Sequence, residues 1–562
     1  MRPRPLDYCR IATRIFPDAA CEYGSLAGLY QVAWGKRDLK RIFHDHDVQR
    51  DSQQDPQRTV KVLRWVRNVD VFALFKISSI LVRNEYLSIL LDILRDVLLE
   101  PPGDTHDAEL SDILLDYLSR PLKRDAAIVI GSAGIGKSLF LFFILALRVL
   151  AGLPTIFQSE KEHLCAITHD GVFRIDYPIS FEPLQDYIPK GSWSLVDSGD
   201  VPGAPYQLVK ASTLFSGFIL QVTSPRKDRL EWSKKMHQAV KRCYMTPWTP
   251  EELIQARDLQ VWHAGFQRPS EQALLDFCRM FGCSARHVYG NTAESTNYRI
   301  RVSEEITALT TDIRTALYKR DFLVFDKEIP ELIMTAAPDP SNRARLTLFI
   351  ASEYLTDQIL ARLKVTDQRA TAHLYRLFMK NPYTRLHTGY LLERLAFESF
   401  SQGGQWEMTV MQKDDPGAEN TYWHSRVGAP HRFLCLGYGQ SSLSVEDQPQ
   451  TGPFRPLPNS LYPMSQQQRP NDGFYSPASR AQPSSDIFVY DAAQSAATVF
   501  QTTVSRSHRI STVCLDWLTD LGSTTIDLVV VTDPKDTMEA YVSNSHRVRL
   551  RHVYHLVLHG DR

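Results

Sequence analysis

The run Gly131-Ser132-Ala133-Gly134-Ile135-Gly136-Lys137-Ser138 matches GxxxxGK[ST], a spacing made for phosphate. Glycines let successive backbone N–H groups curl round an anion, Lys137 can reach the β- and γ-phosphates, and the Ser138 hydroxyl suits Mg2+. The chemistry expected is binding of ATP with Mg2+. A carboxylate at the end of a neighbouring strand should hold the metal through water, and Trp193-Ser-Leu-Val-Asp197 offers Asp197. Ser198 follows it where a water-activating Glu would serve, with Asp200 the nearest substitute, so the pattern specifies binding and leaves hydrolysis open. Arg226 and Arg286 carry the planar fork that stabilises charge in phosphoryl transfer.

These residues need a strand–loop–helix frame. The apolar strand Ala126–Ile130 leads into the loop, and the apolar run Leu139–Leu147 leaves it as a buried helix too short to cross a bilayer. Further strands are expected at Thr155–Phe157, Trp193–Val196 and Phe218–Val222, with a hairpin over Cys165–Ile175 turning at Asp170-Gly171. Alternating β and α runs predict a parallel α/β sheet. The expected order is residues 1–75 without a motif, a helical preface over 76–121, a nucleotide-binding core with the start of a helical lid over 122–300, a helical domain over 301–380 and a second α/β domain over 381–562. Asn342–Leu363 reads as helix. The proline-rich stretch 444–485 reads as an insertion or loop outside any packed core. His44-Asp45-His46-Asp47 alternates ligand types where a helical metal pair needs i and i+4 spacing, and it reads as a solvated loop.

The 562 residues are 43% apolar and 23% charged, which excludes a disordered or fibrous chain and suits three or four domains. Lys plus Arg (64) equals Asp plus Glu (64), so no global field draws the chain to nucleic acid; the basic run Arg226–Arg242 is the local exception. The eight cysteines form no CxxC pair and read as free thiols of a reducing compartment. No signal peptide is visible in residues 1–24, no membrane association is expected, and the expected location is intracellular, the nucleus included.

The chain resembles the Crinkler and retrotransposon-hot-spot class, which joins a P-loop ATPase of the AAA or signal-transducing type to a restriction-endonuclease-like domain. The resemblance rests on GSAGIGKSLFLFFIL, WSLVDSGD, TSPRK, YMTPWTPEEL, FGCSARHVYG, GYLLERLAFE, SSDIFVYDAA and FQTTVSRSHRI, in that order over roughly 125–534. It implies a multidomain α/β protein with a parallel-sheet P-loop core, a helical subdomain and a nuclease-like α/β domain. It further implies a metal centre from Glu393, Asp486 and Gln501, carboxylates and an amide oxygen being hard ligands for Mg2+. Thr503 stands where such a centre usually has Lys, with His508 the nearest replacement, and Ala133 stands where the class often has Pro. Two functions follow: an ATP-regulated, Mg2+-dependent nuclease acting on DNA, or a nucleotide-switched effector or scaffold with an inactive nuclease-like domain, able to change its homo-oligomeric state. An ATPase that remodels nucleic acid is a third.

Overall fold

A computed structural model describes residues 22–48, 50–51, 59–64, 79–100, 112–158, 163–176, 189–198, 217–225, 227–236, 240–260, 268–292, 295–319, 331–365, 367, 369–381, 384, 388–414, 420–426, 428–439, 441–463, 468–477, 487–533, 537–543 and 550–558. The chain is mixed α/β and divides into two compact units, one from Met1–Arg314 with Leu323–Arg362, the other from Thr315–Phe322 with Leu363–Arg562.

The first unit is built on a seven-stranded sheet. Five strands run parallel in the spatial order Lys241–Tyr244, Ala126–Ile130, Phe218–Thr223, Trp193–Asp197, Thr155–Gln158. Numbered along the chain, that order is fifth, first, fourth, third, second. The antiparallel pair His163–Thr168 and Gly171–Asp176 completes one edge, turning where Asp170-Gly171 suggests. Every residue of Ala126–Ile130 is buried, as a strand flanked on both sides and covered on both faces must be. The helix Lys137–Leu150 follows it, buried from Phe140 to Leu150 apart from Phe142, and at its far end Arg148 is fully buried. That guanidinium is satisfied by the Pro154 and Gly191 carbonyls and the Thr155 hydroxyl, and lies 4.6 Å from the Trp193 ring centroid.

Two expectations are corrected in this unit. His44-Asp47 lies in a strand, Phe43–Asp47, paired antiparallel with Thr59–Leu63. Its charges are answered across the ladder: Lys61 pairs with Asp45 at 2.6 Å, and Thr59 donates to Asp47 at 2.8 Å. Asn342–Ile350 is a strand, paired with Met334–Asp339, and helix begins only at Glu353. Asp339 closes the turn by accepting from the Ser341 N–H at 2.8 Å, and Pro340 between them fixes the bend. The described residues of the basic run form a short helix Lys227–Leu230, a 3-10 turn Glu231–Lys235 and the edge strand Lys241–Tyr244.

The second unit holds a nine-stranded mixed sheet. Its centre is parallel, Ala496–Thr503 beside Thr525–Thr532 beside Leu550–Val557. The helix Gly389–Ser401 covers one face, where Phe400 and Phe500 meet at 4.9 Å between ring centroids. Cys514, Leu515 and Leu518 of the helix Val513–Asp520 pack with Val499, Leu528 and Val530 on the other. The proline-rich stretch contributes the two edge strands, Leu443–Glu446 and Asn459–Tyr462, and Gly473–Pro477 beside the second of them. Leu457, Tyr462, Phe474 and Tyr475, spaced between the prolines, are buried, and Tyr462 and Tyr475 join the core formed by Val499, Cys514 and Leu528, so the expectation of a stretch outside any packed core is corrected.

Candidate phosphate site

The loop Gly131–Ser138 leaves the carboxyl end of Ala126–Ile130, inside the parallel part of the sheet, where open α/β sheets take their ligands. Gly134 and Gly136 have φ of +72° and +93°, backbone that other residues adopt only under strain. A Cβ on Gly131 would stand 2.3 Å from Ile135 Cδ1. Gly136 caps the helix that starts at Lys137, with Ser138 in its first turn.

Side chains from distant segments occupy the loop's carbonyls. Arg83 donates to Ile135 O at 2.9 Å, Tyr86 to Gly136 O at 2.9 Å, Ser284 to Ala133 O at 3.2 Å, and Lys137 to Ser132 O at 2.6 Å. The Ala336 N–H donates to the Ser132 hydroxyl at 2.7 Å. With these carbonyl dipoles offset, the loop's field is set by its N–H groups and the helix N-terminus, which suits an anion. Arg83 itself is almost fully buried, held by Glu252, by the Thr246 and Pro247 carbonyls and by the Trp248 ring.

Burial holds the Lys137 ammonium down to about 8; Asp197 and Glu331 pull it up, while Arg286 and Arg229 push it down. Asp197 and Arg286 therefore stand close enough to act on Lys137. Arg286 also packs on the loop: a Cβ on Gly134 would lie 2.7 Å from Arg286 Cβ and 2.5 Å from Ser284 Oγ. Arg226 and Asp200 lie outside the described residues. Ser198, after Asp197, is buried and its hydroxyl accepts from Gln221 at 2.7 Å, so no base stands there. The hydroxyl of Ser138 and the carboxylate of Asp197 are hard oxygen donors that fit Mg2+, which would offset phosphate charge when bound with the nucleotide.

Sequence reasoning missed four residues here. Thr223 ends the strand between Ala126–Ile130 and Trp193–Asp197, fully buried, with no hydrogen-bond partner for its hydroxyl among the described residues. The Thr that closes FILQVT was a readable signal for it. Arg229, bonded to Ser224 at 3.2 Å, lay three residues past the expected Arg226. Glu331 and Arg83 come from segments whose approach only the tertiary structure decides.

In the second unit Gln501 is buried, with its amide donating to Ser511 O at 2.7 Å and accepting from Ser511 N at 3.1 Å. His508 Nε2 lies 3.3 Å from Gln501 Oε1, and burial holds the imidazole below its ordinary value. Glu393 is half-buried on the helix Gly389–Ser401, whose face of the sheet is the one Phe500 points to; Gln501, the next residue of that strand, points to the other. Asp486 lies outside the described residues. Among the described residues no group of three or more His, Cys, Asp or Glu side chains could hold a metal, and no helix is long and apolar enough to cross a membrane.

A mixed α/β chain with a glycine-lined loop at the end of a parallel strand is thus in view. No family model matches it. It is similar to Crinkler effector protein 15 of Phytophthora infestans, 23% identical over 309 residues that cover 50% of this chain and 43% of that protein. It is also similar to Crinkler effector protein 16 of the same organism, 28% identical over 139 residues, 23% of this chain and 19% of that protein. The matches span less than half the length of these relatives, and the likeness supports a Crinkler-like relationship.

Proposed function

We propose that this Crinkler-like chain binds ATP with Mg2+ at Gly131–Ser138 and uses the nucleotide as a switch. The observation that carries the reading is the set of charges around Lys137: a lysine at the mouth of a left-handed glycine loop, with Asp197 on the third parallel strand and Arg286 against the loop. The strand order supports it too, because a P-loop NTPase core is an open parallel sheet with its loop on a strand between two parallel neighbours, as Ala126–Ile130 stands between Lys241–Tyr244 and Phe218–Thr223. Lys137 and Arg286 would bind the phosphates, Ser138 and Asp197 would hold the metal, and Thr223 would face the terminal phosphate. Equilibrium binding of labelled ATP tests the reading: Lys137→Ala should abolish it, and undiminished binding would refute the assignment.

For the second unit the two functions separate on Gln501. A Mg2+-dependent nuclease acting on DNA needs Glu393, Asp486 and Gln501 to share a metal, with His508 beside them. The Gln501 amide is already engaged by Ser511, which favours the alternative, a nucleotide-switched effector or scaffold with an inactive nuclease-like domain. Cleavage of duplex and single-stranded DNA in Mg2+, with and without ATP, decides between them. Nicking lost in Glu393→Ala or Asp486→Ala establishes the nuclease, whereas no cleavage, with a change of oligomer size on ATP addition, establishes the switch. A nuclease would act in the nucleus.

A further inference from the structure

Besides its nine-stranded sheet, the second unit carries a four-stranded one, in the order Gln412–Lys413, Asn420–His424, Glu539–Ser543, Ser507–Arg509. Its two faces differ in kind. Trp423 and Ala540 are buried in the core that holds Cys514 and Leu528, and Val542 packs against it. On Ser507–Arg509 it is His508 that turns inward, to Gln501. Successive side chains of a strand point to opposite faces, so Tyr422, His424, Tyr541, Ser507 and Arg509 share the outer one.

The register sets Tyr422, Tyr541 and Arg509 directly opposite one another on three adjacent strands. The two phenol rings stand 5.6 Å apart between centroids, and the His424 ring lies 6.4 Å from Tyr422 and within 14° of parallel to it. A cross-strand pair of rings stabilises a sheet by itself. That role accounts for neither the third ring nor the guanidinium at the end of the row. Both tyrosines are only half-buried, and Arg509 is exposed with no ion-pair partner among the described residues. The acids nearby are answered: Glu539 accepts from Ser507 at 2.6 Å, and Asp414 pairs with His424 at 2.9 Å and Arg426 at 3.2 Å. Lys413, Arg426, Arg506 and Arg509 against Asp414 and Glu539 leave the described part of this sheet and its ends positive, in a chain with no net charge.

We propose that this outer face binds single-stranded DNA, with bases stacked on Tyr422, Tyr541 and His424 and a phosphate paired with Arg509. Every base has a π-face, so rings beside a guanidinium hold a strand whatever its sequence. A duplex keeps those faces inside its own stack. The polar side chains on either side of the row serve the protein's own groups, Asn420 donating to the Tyr422 hydroxyl at 3.4 Å and Ser507 to Glu539, so the face is not built around the 2′-hydroxyl that marks RNA. The site binds and does not cleave. It needs no metal, and it stands whether or not Gln501 serves a metal centre. A strand held here lies on the outer side of Ser507–Arg509, whose inner side carries His508.

The test uses the full chain in EDTA without nucleotide, so that neither cleavage nor ATP contributes, and reads the anisotropy of fluorescein-labelled oligothymidylate. We expect Tyr422→Ala and Tyr541→Ala each to weaken binding about tenfold, as for one lost stacked base, and Tyr422→Phe and Tyr541→Phe to stay within about twofold, because the ring and not the hydroxyl stacks. Arg509→Gln should lower the slope of log affinity against log salt by about 0.7, the share of one phosphate on a single strand. Duplex DNA of the same length should bind more weakly, and RNA of the same length no more tightly. No binding by the wild type, or binding that survives both alanine variants, overturns the proposal; preference for duplex or for RNA overturns the choice of occupant. Should loss of a ring unfold the sheet, the exposed change Arg509→Gln still decides, since an unchanged salt slope removes the site. Failure here leaves the nucleotide and nuclease readings standing, because the assay holds neither ATP nor Mg2+.

Discussion

Lys137 gives the proposed site a pH dependence whose sign and size can be worked out. Its pKa of about 8 in the empty protein means that it is about nine-tenths protonated at pH 7 and about one-tenth at pH 9. Phosphate recognises only the charged amine, and a bound polyphosphate restores that charge, so binding takes up a proton wherever the free lysine is neutral. From pH 7 to 9 apparent affinity should fall by up to about tenfold, ~1.4 kcal/mol; water reaching the partly open side chain trims this toward about threefold. The terminal phosphate, with a second pKa of about 6, stays ionised throughout. His287, held at about 4 by burial and by Arg286 and Arg301, stays neutral. The assay is fluorescent-ATP titration in Mg2+ at pH 7, 8 and 9, with Lys137→Arg as the comparison; that variant should bind more weakly and without pH dependence, because guanidinium does not titrate there. A flat wild-type profile would refute the reasoning. For the empty protein the sign reverses. The folded pKa lies below the unfolded one, so between pH 8 and 10.5 the unfolded chain binds the extra proton, and wild type gains stability over Lys137→Met as pH rises through that window.

Thr223→Val should leave stability within about 0.5 kcal/mol, since the lost hydroxyl has no partner among the described residues. It should keep ATP affinity while slowing any turnover about tenfold or more; unchanged turnover in an ATPase assay removes Thr223 from the site. Arg83→Met strands Glu252 and three backbone carbonyls, and should cost ~3 kcal/mol, read as a melting temperature lower by roughly 6 °C or more; a shift under about 1 °C contradicts the buried clamp. Gly134→Ala should lose at least about tenfold in ATP affinity with the far-UV spectrum intact, the left-handed backbone alone costing ~1–2 kcal/mol before the clash with Ser284 and Arg286. Glu331→Gln removes a negative charge beside Lys137, and should tighten ATP binding about twofold at low salt and less at high salt; weaker binding would show that the carboxylate helps the nucleotide.

What could be read from the sequence was local. The strand Ala126–Ile130, the glycine spacing and the apolar helix lie in one continuous run, so the strand–loop–helix unit needed no distant partner to be legible. The short runs at Trp193 and Phe218 were strands for the same reason, apolar but for Ser194 and Gln221 and bounded by breakers. Asn342–Ile350 misled because Arg, Ala and Leu favour helix in isolation; the pairing partner Met334–Asp339 and the Pro340 turn decide otherwise. Prolines hid the strands Asn459–Tyr462 and Gly473–Pro477, which pair with each other and with Ile487–Asp491 at the end of the sheet. Within the site, Asp197 and Arg286 were legible from their motifs. Glu331, Arg83 and Arg229 were not, since their types are common on surfaces and only packing brings Glu331 and Arg229 to Lys137 and Arg83 to the loop.

That packing bears on what the loop is for. A glycine-rich turn serving only to reverse the chain would need no help beyond its own residues. This one has its carbonyls taken by Arg83 and Tyr86 from the preface, by Ser284 from the turn after Glu271–Phe281 and by its own Lys137, and its Ser132 hydroxyl held by the backbone of the hairpin Met334–Ile350. The hairpin is tied in turn by Arg343 to Glu85 at 2.6 Å and Asp92 at 2.8 Å, residues of the helix that carries Tyr86. Every segment that touches the loop is therefore coupled to another through it. An anion entering would compete with Glu331 for Lys137 and disturb the Ser132 contact, so occupancy of one loop is felt by preface, hairpin and Arg286 turn together. A connection of that kind has no use in a passive turn, and it is what a nucleotide-dependent switch requires.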